Sequence, residues 1–499
     1  MLPATITERI DYFASGHPER TAIIFGERSL TYAEFADASS RLAAVLRSCG
    51  VVPGERVCFV SHNCIDYLVF YHAVLRCGAA LFPVNADLSA SEVAYILRHA
   101  TPVLVVSDEA HAPAMHEAIA RSGLTLPTAV LESLVRDASA IREASAGRSR
   151  LPDDLAFVVY TSGTTAAPKG VPASDRIELR SADAFASAWQ VGPQDLFVCA
   201  LPLSFMFGLH TATMVAFSQG AAVLLFERFH PVRVLEAIET HRATVMLGVP
   251  TMYSMMLEHV TETGRRYKLG SVRVAGSSGA PLAVATRHAL ERACGLRVQD
   301  YYALSECRPI FSFDASSHEA VPVGSVGKAV PDLQARFVDD EGRDVAPGET
   351  GSILVRSPTL IDSYFRDPER SRAAVTDGWF ITGDLGRRDD AGYVYISGRT
   401  RDQVISSGQK ISAIEVEDVL LEHAAVAQAA VVGVPDNKYG ELLKAVIVLR
   451  AGEQASEASL LEHCRSRLAP YKLPRRFSFR DSLPVSPAGK VLKRELIHE

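Results

Sequence analysis

The sequence predicts an α/β fold: a large N-terminal domain of layered α/β subdomains plus a β-rich subdomain, then a small α+β domain at the C-terminus. Short apolar runs alternate with helix-like segments through most of the chain, the pattern of strand–helix units. After Gly324 the texture changes to shorter strand-like runs joined by Asp/Gly turns. Beyond Gly398-Arg399-Thr400-Arg401-Asp402 lies a unit of about a hundred residues, the size of a small domain. At 499 residues the chain is too long for one ordinary core.

Taken in order, Arg56–Ser61, Val103–Ser107, Leu155–Tyr160, Thr244–Val249, Ser271–Ala275 and Leu296–Tyr302 read as buried strands. Arg136–Arg150 is rich in Ala, Ser and Arg and reads as a loose connection. In the β-rich part, Ser352–Arg356 and Tyr393–Ser397 are strands, with turns at Asp339–Gly342 and Asp389–Gly392. In the C-terminal unit, Ala413–Leu421 reads as a helix, Val426–Val434 as a strand, Pro435-Asp436-Asn437 as a turn and Leu443–Leu449 as a strand.

Composition narrows the function. The chain is 48% hydrophobic and 22% charged, with a net charge of −7. No Lys/Arg block offsets that charge, so nucleic acid is not an expected partner. The cysteines are scattered without a CxxC pair, which fits a reducing cytoplasm and neither a disulfide frame nor a zinc site. The N-terminal MLPATITERIDYF has no basic start followed by an apolar core, so no signal peptide is expected. The longest apolar stretch, Ala212–Phe226, is broken by Thr213, Ser218, Gln219 and Gly220 and is too short and polar to span a membrane.

The stretch Tyr160-Thr161-Ser162-Gly163-Thr164-Thr165-Ala166-Ala167-Pro168-Lys169-Gly170 collects hydroxyls, glycines and one lysine just after an apolar strand. Backbone N–H groups, hydroxyls and an ammonium all donate to phosphate oxygens, so a polyphosphate is the expected ligand. It is not a Walker A loop, because Gly170 rather than Ser or Thr follows the lysine. Other segments are weaker alone. Asp300-Tyr301-Tyr302-Ala303-Leu304-Ser305-Glu306 offers an aromatic ring, a hydroxyl and a carboxylate at a strand end, but alone a strand-end turn with a buried Tyr and a solvated Glu is the better reading. Thr382-Gly383-Asp384 suits ribose hydroxyls, yet an Asx-type turn is the simpler reading. Gly489-Lys490, by itself, is a solvated charge.

Together, in this order, these segments resemble the adenylate-forming superfamily of acyl-CoA and aryl-CoA ligases, peptide-synthetase adenylation domains and luciferases. Ser277-Ser278-Gly279-Ala280-Pro281-Leu282 and Gly398-Arg399 complete the likeness, which runs from about Phe13 to the end. The resemblance implies ATP, Mg²⁺ and CoA, or a carrier protein's phosphopantetheine, with a small-molecule carboxylic acid as the other partner. It implies that Thr161, Ser162, Gly163, Thr164, Thr165 and Lys169 hold the β/γ-phosphates. Glu306, with Thr165, holds Mg²⁺, and Ser305 contacts the α-phosphate. Tyr302 stacks on adenine, whose edge meets backbone at Gly279 and Ala280. Asp384 and Arg399 take the ribose. Lys490 reaches the carboxylate and α-phosphate in the first step only. The implied domains are 1–398 for adenylation, a hinge at 399–402 centred on Asp402, and a mobile domain at 403–499. Ser407 and Gly408 then line a thiol tunnel. A homodimer is allowed by the resemblance.

The chain also departs from the family pattern. Ser174-Asp175-Arg176 stands where Thr-His-x-Asn is common, Phe205 replaces a His, Ala303 a Gly, Cys307 a Thr or Ser, and Ser407 a Gly. Phe205, Met206, Phe207, Ser278 and Ile310 are the implied acyl pocket. Met206 stands where amino-acid-activating relatives carry Asp, so a buried ammonium would lack a partner. The expected substrate is therefore an aryl, alicyclic or medium-chain acid. Loading of a carrier protein, or thioester formation by a partner enzyme, is the alternative. A non-catalytic nucleotide-binding protein is a further one, opposed by the presence of Lys169, Glu306, Asp384 and Lys490.

Overall fold

The structure, a computed structural model, describes residues 2–142, 149–161, 168–317, 319–400, 403–406, 409–436, 440–486 and 491–497. Its first layered unit is a six-stranded sheet in the order Thr128–Val130, Leu104–Ser107, Arg56–Val60, Ala80–Val84, Leu155–Thr161, Lys169–Ser174. Neighbours run parallel except the last two strands, an antiparallel pair with Thr161 opposite Lys169. A second, seven-stranded sheet has the order Val298–Asp300, Val274–Ser277, Val245–Gly248, Leu196–Cys199, Ala222–Leu225, Thr21–Phe25, Arg28–Thr31.

Ala80–Val84, Leu104–Ser107 and Val245–Gly248 are buried at every position. Strands covered on both faces need continuous apolar runs, which is why the sequence shows runs here rather than alternation. Helix Ile65–Arg76 is buried along nearly its whole length. It lies in a single core that joins Val57, Leu81 and Phe157 of the first sheet to Phe197, Val223 and Val245 of the second. Helices Tyr32–Ser48 and Ala90–Ala100 start at capping boxes, Thr31 with Glu34 and Ser89 with Glu92.

The β-rich unit is a five-stranded sheet in which Gln334–Val338, Gly351–Arg356, Trp379–Arg388 and Val375–Thr376 are consecutive neighbours and Val394–Arg399 adds to Trp379–Arg388. Its core gathers Cys307, Ile310, Phe311, Phe337, Ile353 and Val394. The C-terminal unit has its own sheet, with Gly440–Leu449 at the centre, and its own cores, with helix Ala413–Leu421 packed on Val426–Asp436. No helix among the described residues is long and apolar enough to cross a membrane.

Several expectations are corrected. Strand Val426–Asp436 runs through Pro435 and Asp436 rather than ending before them. It lies at the edge of its sheet, the position in which a strand tolerates proline. The strand expected at Ser271–Ala275 is displaced to Val274–Ser277, and the one at Leu296–Tyr302 is confined to Val298–Asp300. Arg136–Arg150 is not uniformly loose, because helix Leu131–Ser139 takes its start and Arg150 is fully enclosed. The Arg150 guanidinium donates to Asp175 at 2.7 Å and to the carbonyls of Leu75 and Ala79 at 3.3 and 3.2 Å. Composition hid this anchor, since Asp175, Leu75 and Ala79 lie 25 to 75 positions from it in sequence.

Candidate active site

The phosphate-loop segment joins the antiparallel pair Leu155–Thr161 and Lys169–Ser174, so Thr161 and Lys169 face each other across its mouth. Ser162, Gly163, Thr164 and Thr165 lie outside the described residues. The Thr161 hydroxyl oxygen is buried with no hydrogen-bond partner among the described residues. A buried orphan hydroxyl is costly, and a phosphate oxygen is a fitting acceptor for it.

Lys169 forms an ion pair with Glu306. Tyr364, which the sequence reading missed, completes this cluster. Its hydroxyl donates to Glu306 Oε1 at 2.9 Å and accepts from Lys169 Nζ at 3.2 Å. Burial, and next the Glu306 charge, push the Tyr364 hydroxyl far above the usual tyrosine range, so it stays a donor. The segment carrying Tyr364 is seated on the loop's base, with the Phe365 N–H donating to the Gly170 carbonyl at 2.9 Å. A Cβ on Gly170 would come within 3.2 Å of Phe365 Cβ and 3.0 Å of Val158 Cγ1, so glycine permits this approach.

A second cluster lies on the β-rich sheet. Asp384 is not in a turn, as its Asx reading had it. It sits inside strand Trp379–Arg388 and pairs in register with Arg399. The preceding residue, Gly383, has φ +75°, where the strand bulges against Gly351–Arg356 and turns the carboxylate toward Tyr302. The Tyr302 hydroxyl donates to Asp384 Oδ2 at 2.5 Å, and Arg399 Nε lies 3.1 Å from Oδ1. Burial, and next Asp384, hold the Tyr302 hydroxyl well above its usual range. Its ring stacks with Phe311 at 5.8 Å between centroids.

Tyr302 and Ser305–Glu306 follow strand Val298–Asp300, and Gly279 and Ala280 follow the neighbouring Val274–Ser277. These are the carboxyl ends of parallel strands, the usual ligand-binding edge of such sheets. Gly279, at φ +90°, and Ala280 are exposed there.

The apolar residues divide. Met206 and Ser278 are buried, Phe205 and Phe207 partly exposed. Phe207 opens a π-helical segment, Phe207–Met214, and meets Tyr301 edge-on at 6.0 Å. A Cβ on Gly208 would lie 2.3 Å from the Pro202 carbonyl oxygen, so this helix presses on the Leu201–Pro202 turn. Asn63 fixes that turn, donating to the Leu201 carbonyl and accepting from the Leu203 N–H, both at 2.8 Å. Ile310 is apart from this group, fully buried in the core of the β-rich unit. Asp402, Ser407, Gly408 and Lys490 lie outside the described residues.

The donor set, an ammonium, an orphan hydroxyl and a carboxylate, suits phosphate oxygens and a divalent cation. Mg²⁺ is commonly held by one or two carboxylates plus substrate phosphates, which Glu306 beside the loop satisfies without a dedicated cage. No cluster of three or more His, Cys, Asp or Glu side chains able to hold a metal alone occurs among the described residues.

Comparisons with known proteins agree. The sequence pattern of the AMP-binding enzyme family matches residues 10–365, and that of the AMP-binding enzyme C-terminal domain matches residues 415–490. Indoleacetate–CoA ligase of Aromatoleum aromaticum is 33% identical, over 98% of this chain and 97% of that protein. Long-chain-fatty-acid–CoA ligase of Bacillus subtilis is 30% identical, over 97% of this chain and 93% of that protein. The crystal structure of ATP-bound MatB from Rhodopseudomonas palustris superposes with a TM-score of 0.91 at 32% identity, covering 99% of this chain and 98% of that one. The chain belongs to the AMP-binding enzyme family, the adenylate-forming superfamily.

Proposed function

We propose that this family member is an ATP-dependent carboxylic acid–CoA ligase acting on an apolar aryl, alicyclic or medium-chain acid. The family's chemistry has two steps. The acid attacks the α-phosphorus of ATP to give acyl-AMP and pyrophosphate, and CoA then takes the acyl group and releases AMP. The observation that carries the reading is the pairing of Lys169, Glu306 and Tyr364, together with that of Tyr302, Asp384 and Arg399.

In the first step charge builds on the phosphate oxygens, so catalysis is mainly positioning and electrostatics. Lys169 leaves Glu306 for the polyphosphate, joined by Thr161, Ser162, Gly163, Thr164 and Thr165. Glu306, with Thr165, holds Mg²⁺, which supplies charge neutralisation at the phosphates. Ser305 contacts the α-phosphate. Asp384 exchanges its contacts with Tyr302 and Arg399 for the ribose hydroxyls, and the Tyr302 ring lies against adenine near Gly279 and Ala280. Lys490 delivers charge to the carboxylate in this step. Asp402 then serves as the hinge at 399–402, about which the domain 403–499 turns to bring Ser407 and Gly408 to the thiol. The separate cores of that domain support this division.

The acid's tail lies against Phe205, Met206, Phe207 and Ser278. Met206 offers no charge to an α-amine, which would be buried unpaired. All eight cysteines are free, which supports a cytoplasmic location.

The test is mass spectrometry of products from purified protein, Mg-ATP and a panel of apolar acids, with and without CoA. Acyl-CoA plus AMP supports the ligase. Acyl-AMP that persists in the presence of CoA favours a carrier protein as acceptor. AMP formed from no acid refutes the reading.

A further inference from the structure

Behind the site lies a buried polar network that the adenylation chemistry does not use directly. Glu178 and Ser181 sit on helix Asp175–Trp189, which follows the Lys169 strand, and His210 sits on the π-helical segment that Phe207 opens. Arg308 follows Glu306 by two residues. Glu178, Ser181 and His210 are 0% exposed and Arg308 is 1% exposed. His210 Nδ1 lies 2.7 Å from Glu178 Oε1, and His210 Nε2 lies 2.7 Å from Ser181 Oγ. Burial lowers the His210 pKa against the opposing pull of Glu178; in the neutral ring Nδ1–H would donate to the carboxylate and Nε2 would accept from the serine. This is the hydrogen-bond order of a hydrolytic triad, but Ser181 is sealed from any substrate.

The other carboxylate oxygen of Glu178 takes Arg308 Nη2 at 2.6 Å. Arg308 Nη1 donates in turn to the Ser305 carbonyl at 2.9 Å. Leu304 and Cys307 exchange backbone bonds of 2.9 and 3.2 Å, so Ser305 and Glu306 ride on a tight turn; the Ile361 N–H holds its Glu306 carbonyl at 2.9 Å, and this guanidinium holds its Ser305 carbonyl. A buried ion pair contributes little stability compared with apolar packing of the same volume. Its two-armed geometry instead suits fixing one backbone group against another element.

We propose that Arg308 is a positioning residue for adenylation: anchored by Glu178, it holds the Ser305 carbonyl and thereby sets Ser305 and Glu306 against Mg-ATP. The inference rests on the adenylation reading above. Through His210 the same network ties that turn to the helix behind the acyl pocket, so nucleotide and acid segments share one rigid support.

The test compares wild type with Arg308→Met, Arg308→Lys and the double variant Arg308→Met/Glu178→Gln. Thermal melting, calorimetric Mg-ATP binding and pyrophosphate-release kinetics are measured on each. Arg308→Met alone strands the Glu178 carboxylate, so its Tm falls. The double variant removes both charges and regains Tm, while Arg308→Lys keeps a cation for Glu178 but loses the second arm. Both are expected to remain about 10- to 100-fold weaker in Mg-ATP binding or kcat, the usual cost of losing an outer support. If both melt like wild type and also bind and turn over Mg-ATP within about twofold of it, the network is structural only and the inference falls. A wild-type protein that binds no Mg-ATP overturns the adenylation reading itself, and this inference with it.

Discussion

Removing the Tyr364 hydroxyl perturbs the Lys169–Glu306 cluster without deleting a charge. Tyr364→Phe keeps the ring, which packs in the core between the two large sheets, and loses the 2.9 Å bond to Glu306 and the 3.2 Å bond from Lys169. A hydrogen bond to a charged group is worth about 1.5–3 kcal/mol. At about 1.36 kcal/mol per tenfold, full expression of that loss when Glu306 must be oriented toward Mg-ATP slows adenylation about 10- to 100-fold. The assay is ATP–pyrophosphate exchange across a Mg²⁺ titration, with a melting curve as the folding control. The Mg²⁺ concentration for half-maximal exchange rises, while KM for the acid stays near wild type, because Tyr364 does not belong to the acyl group. Exchange within about twofold of wild type in a well-folded variant refutes the reasoning.

Other perturbations read other parts of the account. Lys490→Ala is expected to abolish acyl-AMP formation yet still pass the acyl group from supplied acyl-AMP to CoA; equal loss of both steps, followed by mass spectrometry, contradicts the division of labour. Arg150→Met leaves Asp175 buried without its cation, so urea denaturation should show a loss of about 3–5 kcal/mol, with the Asp175→Asn partner change recovering part of it. Asp300 gives a pH signature. Burial pushes its carboxyl up to about 6, although Arg287 lies 2.5 Å away and opposes the shift. The unfolded carboxyl titrates near about 4, so between about pH 4 and pH 6 the folded state holds the extra proton. The stability this group contributes is present below pH 4 and is lost as pH rises through 6. Asp300→Asn flattens that part of the stability–pH curve, and identical slopes in the two proteins count against it.

Much of the fold is legible because both large sheets are covered on both faces. Runs such as Val103–Ser107 and Thr244–Val249 are short enough to read as buried strands and hold the strands Leu104–Ser107 and Val245–Gly248, and helix Ala413–Leu421 follows its sequence pattern residue for residue. Boundaries were less legible where backbone context decides, as at Pro435, whose place at a sheet edge no local pattern reveals. In the site, motif wording pointed to Lys169, Glu306, Tyr302, Asp384 and Arg399, and the structure brings these into two hydrogen-bonded clusters. The motifs say nothing of Tyr364, in a segment without special composition, or of Glu178, His210 and Arg308. Glu178 meets Arg308 across 130 positions and His210 across 32, distances at which periodicity and local spacing carry no signal. Buried polar residues read as interruptions of an apolar pattern until their partners are seen.

The central claim is that the acid's own oxygen attacks the α-phosphorus of ATP in the site built around Lys169, Glu306 and Asp384. It is tested most directly by supplying a turned-over acid whose carboxylate carries heavy oxygen and weighing the nucleotide product. The account predicts AMP bearing one heavy oxygen, with pyrophosphate unlabelled. Heavy oxygen in inorganic phosphate, with ADP as the nucleotide product, would mean attack at the γ-phosphorus and would contradict it.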